Sequence, residues 1–391
     1  MQTHFDWPYA VLYLILIFEA FQYYKSRQKS NLTISIAVAF VFVAFRAPVV
    51  GADTWNYVRY LTGERYFYND DPRELEFLFI WYRTIVNDIT DSRLVVMLIN
   101  TIVSFTPVLY LIKKYSLNAS LSLLLFFYLG CTNLYFVGLR QILGFSFILW
   151  ALLYIQYTSD NKEKKMKILY TMGILLFAIT IAYNFHTSNI IYGVIIICAI
   201  FIPLKSKFVA LMIIGGSAVI GLVLSLFDVL SFFNYLYLAD LESTERLSGY
   251  LLNEDMKDVV PLFLLFRLTF LSSFTIICID EKKVNHLFTK LFVFGVVVFN
   301  LLYSVPMIDR FLPIFLLFGC VVFTWIFGEN YIKHKEMRFR TNLICVLIVL
   351  YLTRSAFIGL NIWDPKSEDR MHPYYFFFQD YKDHPSIKKF R

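Results

Sequence analysis

The chain has 391 residues, 58% of them hydrophobic and only 17% charged, with a mean hydropathy of +0.60 and a formal net charge of +7. Soluble chains carry about 25% charge, so these figures exclude an ordinary soluble domain and leave an all-α polytopic membrane protein. The positive excess sits mostly in short lysine clusters between apolar runs, which speaks to membrane topology before it speaks to nucleic acid, and no nucleic-acid partner is expected.

Twelve candidate spans follow in order, at about 8–24, 31–45, 94–112, 118–137, 141–157, 168–183, 188–203, 208–227, 260–279, 287–305, 311–327 and 342–360. The first run lacks a cationic leader and a small-residue cleavage site, so it is read as a retained span. Lysines follow every second span: Lys25 and Lys29, Lys113 and Lys114, Lys162 to Lys167, Lys205 and Lys207, Lys282 and Lys283, and Lys333 and Lys335. Those connections are expected on the cytoplasmic side.

The remaining connections fall on the far side: 46–93, 138–140, 184–187, 228–259 and 306–310. Their basic residues are nearly all arginine, including Arg46, Arg140, Arg246 and Arg310. Arginine offers a planar fork for carboxylate or phosphate that lysine lacks, so the segregation points to an anion-handling function on that side.

Segment 46–93 is long enough to shape a pocket, with helix-capable pieces from Asp53 to Tyr60 and from Arg73 to Asn87. Segment 228–259 has the mixed pattern of an interfacial helix. The amphipathic tail, 361–391, carries an aromatic run from Tyr374 to Phe378 that is too short to span, and it joins the arginine side if twelve spans are correct. The whole chain is expected to form a single transmembrane domain.

Several polar residues stand alone in apolar surroundings. Gly51 permits a sharp turn after Arg46. Asp53 either caps the helix that follows or acts on a sugar, as ligand or base, with Thr54 beside it. Glu74 and Glu76 close the segment before Phe77, and Glu76 either pairs with Arg73 or Arg83 or serves as a base. Arg140 sits between two spans with no other charge nearby, which is costly unless an anion meets it. His186 lies in a short polar turn as base, proton carrier or structural donor. Arg267 falls inside a span. Tyrosines of 46–93 belong to an interfacial belt or stack on sugar faces.

The chain has no P-loop, no Asp-x-Asp, no Gly-x-Ser-x-Gly and no histidine pair, so an enzyme built on it is expected to need no nucleotide cofactor and no metal. Cys131, Cys198, Cys278, Cys320 and Cys345 all lie in apolar runs without ligand spacing and read as packing residues.

Phe45-Arg46, then Gly51 to Tyr57, Glu76-Phe77, Arg140-Gln141 and Phe185 to Ser188, taken in order, resemble the EpsG family of Wzy-type polymerases of bacterial exopolysaccharide, capsule and O-antigen. The chain departs from the family pattern at Ala47-Pro48, where the family often has two glycines, and at Gly144, where the family often has alanine soon after its Arg-Gln. The resemblance implies a GT-C-like bundle in the bacterial inner membrane and a metal-independent inverting glycosyltransferase. It would move a nascent glycan from undecaprenyl diphosphate onto an incoming lipid-linked repeat unit at the outer leaflet. Donor and acceptor lipids, the surrounding membrane lipids and a chain-length regulator are the expected partners.

On that reading Arg46, Arg140, Arg246 and Arg310 hold the diphosphate, and Asp53, Glu76 or His186 is the base. Thr54, Tyr57 and Gln141 contact sugar. Competing readings are a ligase using the same lipid carrier, a lipid-linked oligosaccharide flippase, and a membrane O-acyltransferase. A flippase should line its path with charges midway down several helices, where this chain offers only Arg267. An acyltransferase rests on His186 alone and leaves the outer arginines unexplained.

Overall fold

A computed structural model describes residues 7–26, 32–51, 53–64, 75–160, 168–226, 261–302, 311–326, 339, 342 and 374–380. Every regular element among them is helical: α1 (Trp7–Ser26), α2 (Leu32–Ala44), α3 (Thr54–Leu61), α4 (Phe77–Ile89), α5 (Arg93–Tyr115), α6 (Ala119–Tyr128), α7 (Cys131–Val137), α8 (Leu139–Asp160), α9 (Ile168–Phe185), α10 (Asn189–Phe201), α11 (Lys207–Leu226), α12 (Pro261–Cys278), α13 (Leu287–Leu302) and α14 (Leu312–Trp325). The chain is thus an all-helical polytopic membrane protein. Four helices, within α5, α8, α9 and α11, are long and apolar enough to cross a bilayer by themselves, and seven shorter apolar helices accompany them.

Ten of the twelve predicted spans coincide with single helices, and the last, 342–360, lies outside the described residues save residue 342. The span expected at 118–137 is two helices instead. Gly130 adopts φ +76 between α6 and α7, a left-handed conformation that only glycine takes at little cost, and the helix breaks there. The expected helical pieces of 46–93 appear as α3 and α4, with α4 starting at Phe77.

The chain forms two compact units, residues 1–197 with 350–391, and residues 198–349. In the first unit α8 lies along α9 and α5, while α1 packs on α6 and α2, and α2 also touches α5 and α6. Gly144 lets α8 and α9 approach: a Cβ there would sit 2.2 Å from Asn189 Nδ2 and 2.7 Å from the Ala182 carbonyl. Asn189 uses that nitrogen to donate to the Ala182 carbonyl at 2.9 Å, beside the His186 N–H that takes the same oxygen at 3.0 Å. Large apolar side chains face outward on this unit, with Leu14, Phe18 and Phe21 on α1 and Leu169 and Phe177 on α9 exposed, as expected of lipid-facing surfaces.

Antiparallel connections give the first unit two ends. At one end the α5–α6 turn meets α1, with Asn118 donating to the Ala20 carbonyl at 3.1 Å, and Lys114 lies 4.3 Å over the Tyr157 ring near the end of α8. The other end collects the segment leaving α2, the α7–α8 junction, the α9–α10 turn and residues 374–377. Ala47 N–H donates to the Tyr375 carbonyl at 2.8 Å and Phe377 N–H to the Phe45 carbonyl at 2.9 Å, so the tail pairs with the chain around Arg46. Tyr374 is buried there, stacked on Phe42 with centroids 4.3 Å apart, and its hydroxyl donates to the Phe42 carbonyl.

In the second unit α13 packs on α11, α12 and α14. Gly295 faces Phe315 and Gly319 faces Phe292, so each glycine is a notch for the other helix's ring. Buried Asn300 joins three helices, donating to Ser217 Oγ at 3.0 Å and Ser272 Oγ at 3.1 Å.

Candidate active site

The site begins with the problem of ending α7. The last four carbonyls of a helix lack intrahelical partners. Here Gly138 N–H takes the Leu134 carbonyl at 2.8 Å, Arg46 Nη2 takes Tyr135 at 3.0 Å, and Thr54 Oγ1 takes Phe136 at 2.5 Å. The chain leaving α2 therefore wraps the C-terminus of α7, where a cation is also favoured by the helix dipole. Gly51 makes the wrap possible: its φ is +111, and a Cβ would lie 1.8 Å from the Phe136 carbonyl oxygen.

Arg46 is 2% exposed, with Nη1 donating to the Val43 carbonyl at 2.7 Å and the guanidinium carbon 4.5 Å over the Phe136 ring. Its Nε has no hydrogen-bond partner, and among the described residues no carboxylate pairs with it. Burial lowers its pKa to about 10, so it stays charged at neutral pH. Its partners among the described residues are carbonyls and a ring face, so its charge adds positive potential at this end of the unit.

Next to it, α8 starts at Leu139 and carries Arg140 on its first turn. Arg140 Nη1 meets Glu76 Oε2 at 2.7 Å, and the two side chains are 12% and 14% exposed. Arg140 Nε donates to Tyr57 Oη at 3.3 Å. Burial raises the Tyr57 phenol's pKa, with the Arg140 charge opposing that effect and the Asp53 charge adding to it, so Asp53 belongs to the same electrostatic neighbourhood. Glu76 Oε1 accepts the Thr187 N–H at 3.1 Å, which ties the α9–α10 turn to the cluster.

On that turn His186 Nδ1 contacts Ser188 Oγ at 2.8 Å and receives the Ser188 N–H at 3.2 Å. An amide N–H can only donate, so Nδ1 is the acceptor and the neutral ring carries its proton on Nε2. In this tautomer His186 presents a donor, not a lone pair, from its other nitrogen.

Arg140, Glu76 and Tyr57 thus come into direct contact from three segments, with Thr187, the neighbour of His186, joining them. The described partner of Glu76 is Arg140, not Arg83. Arg73 lies outside the described residues, and Arg83 Nε donates to the Tyr60 carbonyl at 3.0 Å. Asp53 stands at the N-cap position of α3, yet its side chain makes no capping bond. Thr54 and Gln141 turn inward: Thr54 is spent on α7, and Gln141 Nε2 donates to Tyr192 Oη at 2.6 Å. Arg246, Arg310, Glu74 and the side chain of Arg267 lie outside the described residues.

Sequence reasoning missed the Thr187 amide, because a backbone donor leaves no mark in a sequence. It also missed Tyr192, one tyrosine among 27. Arg93, one of the arginines of the far side, makes a two-pronged pair with Glu64 at 2.7 and 2.6 Å and stacks 4.8 Å over Trp55, an anchor between α3 and α5. Among the described residues no group of three or more histidine, cysteine or carboxylate side chains is arranged to hold a metal ion.

Compared with known proteins, the chain matches the family model described as the EpsG family over residues 29–376. No curated protein and no solved structure matches it significantly.

Proposed function

The chain belongs to the EpsG family, and from that premise we propose that it is a repeat-unit polymerase that transfers a nascent glycan from undecaprenyl diphosphate onto an incoming lipid-linked repeat unit. Family membership supports a polymerase of bacterial polysaccharide biosynthesis, and the helices embed it in a membrane. The observation that carries the finer reading is the Arg140, Glu76 and Tyr57 cluster, largely buried near Arg46, which pairs with no carboxylate among the described residues, at one end of the first unit.

The reaction needs two things at one place. The acceptor hydroxyl must lose its proton as its oxygen attacks the anomeric carbon, which inverts. The bond from that carbon to the diphosphate oxygen must break, leaving at least two negative charges on the lipid carrier. Fixed cations in a site of low dielectric stabilise that developing charge without reorganising. Arg140 can offer its fork directly, while Arg46 acts from behind as a source of positive potential. Asp53, Glu76 and His186 are the candidate acid–base groups, and the Nε2-protonated ring of His186 suits a hydrogen-bond donor to sugar or phosphate better than a resting base. Tyr57, with its ring against Arg140, is the candidate sugar contact.

The lysine-rich connections support an outward-facing site in the bacterial inner membrane, and the transfer proposed is metal-independent and of GT-C type. Reconstitution of the purified protein with lipid-linked repeat unit, without nucleotide and with chelator present, tests the reading. Polymer is expected. A product that requires a nucleotide sugar, or an acylated glycan, would overturn it.

A further inference from the structure

Glu76 is engaged by partners that sequence distance makes informative. Its carboxylate is held between Arg140 Nη1, 64 residues away, and the Thr187 N–H, 111 residues away. A guanidinium and a backbone amide converging on one oxyanion form the donor set that also recognises phosphate oxygens. Glu76 immediately precedes α4 with an extended backbone, and its carboxylate accepts no capping hydrogen bond from the amides of that helix. Its acceptor capacity is therefore directed at the other elements of the cluster and not at its own helix.

We propose that the Glu76 carboxylate stands in for a substrate phosphate in the resting protein, and that the donor's diphosphate displaces it from Arg140 and the Thr187 amide. The inference rests on the glycosyltransferase reading above and adds a regulatory step to it. Tyr57, bonded to Arg140 Nε, keeps the guanidinium aimed while its Nη1 exchanges one anion for the other. The displaced carboxylate is then the base. It takes the proton of the acceptor hydroxyl as that oxygen bonds to the anomeric carbon, and the electron pair of the breaking bond leaves on the lipid diphosphate. Glutamic acid returns its proton to water, and the carboxylate re-forms its pair with Arg140 when the lipid diphosphate departs. The base is thereby sequestered until a donor is bound, which protects the site from activating a hydroxyl, or water, too early.

The test uses full-length protein in nanodiscs with inorganic pyrophosphate as the probe. Glu76→Gln keeps the shape but removes the competing charge, and it is expected to tighten pyrophosphate binding about five- to tenfold while polymer formation is lost. Arg140→Ala is expected to weaken the same binding at least tenfold. In the wild-type protein, carbodiimide labelling of Glu76, read by mass spectrometry, is expected to rise severalfold when pyrophosphate saturates the site. If E76Q binds pyrophosphate no more tightly, or labelling of wild-type Glu76 stays flat, the displacement is wrong even where R140A still weakens binding. If R140A and E76Q both leave pyrophosphate binding unchanged, the diphosphate reading itself fails. The labelling arm needs no variant, so misfolding of E76Q leaves the question decidable.

Discussion

Gly51→Ala and Gly63→Ala place the same methyl group on two left-handed glycines, with φ +111 and +74, in two different surroundings. The backbone cost is shared, at about 1–2 kcal/mol for an L side chain in that region. At Gly63 the new Cβ meets the end of a movable side chain, Asn87 Oδ1, at 2.9 Å, and a small rotamer shift relieves it. At Gly51 it meets a backbone carbonyl, that of Phe136, at 1.8 Å, and Thr54 Oγ1 at 2.8 Å. Neither the carbonyl nor the helix end behind it can yield, so the wrapped segment must lift. Lifting strands the Thr54 bond and the Arg46 bond on α7, about 1 kcal/mol for the neutral one and roughly 1.5–3 kcal/mol for the charged one. The total for G51A is therefore at least about 3 kcal/mol against about 1–2 kcal/mol for G63A, by addition of those terms. Thermal unfolding in one detergent measures the difference, and polymer yield at a permissive temperature reports whether Arg46 has moved. Equal losses in the two variants would refute the tight seating of the segment on α7 and, with it, the positioning of Arg46.

Two further perturbations address the supports of the site. An Arg93 hydrogen bond holds the Glu64 carboxyl below the usual carboxylate range. A depressed carboxyl contributes stability above its unfolded pKa and loses it as pH falls through the folded value, so Arg93→Ala should cost up to about 1 kcal/mol more at neutral pH than in acid, where its stacking on Trp55 is what remains to lose; melts followed from pH 7 downward check it. Tyr374→Ala empties a buried aromatic site between Phe42 and Tyr9 and should destabilise by about 3–5 kcal/mol, with faster proteolysis of the tail as the readout.

What was legible in the sequence, and what was not, follows from which forces leave a local mark. Burial in lipid does, so the apolar runs located ten helices singly and α6 and α7 together. The break at Gly130 did not show, since hydropathy is continuous across it and only the backbone angle changes. Alternation of lysine and arginine segments pointed to one end of the bundle, and the structure brings Arg46, Glu76, Arg140 and the His186 turn to one end of the first unit. Partners were harder. Glu76 had Arg73 and Arg83 as near neighbours in sequence, yet it meets Arg140, with α4 packed on α9 and its Phe79 ring 5.7 Å from the Arg140 guanidinium. Thr54 and Gln141, expected as sugar contacts on the family resemblance, bond a helix carbonyl and a buried tyrosine, long-range partners that leave no local mark in the sequence.

The central claim is that Arg140 stabilises the departing lipid diphosphate. Removing one preorganised donor of this kind costs about 100- to 1000-fold in rate, or roughly 2.7–4 kcal/mol. Cells or proteoliposomes carrying Arg140→Ala, at wild-type protein level, should therefore accumulate lipid-linked single repeat units with polymer down at least about 100-fold. Normal polymer yield and length in that variant, with no build-up of single units, would contradict the account.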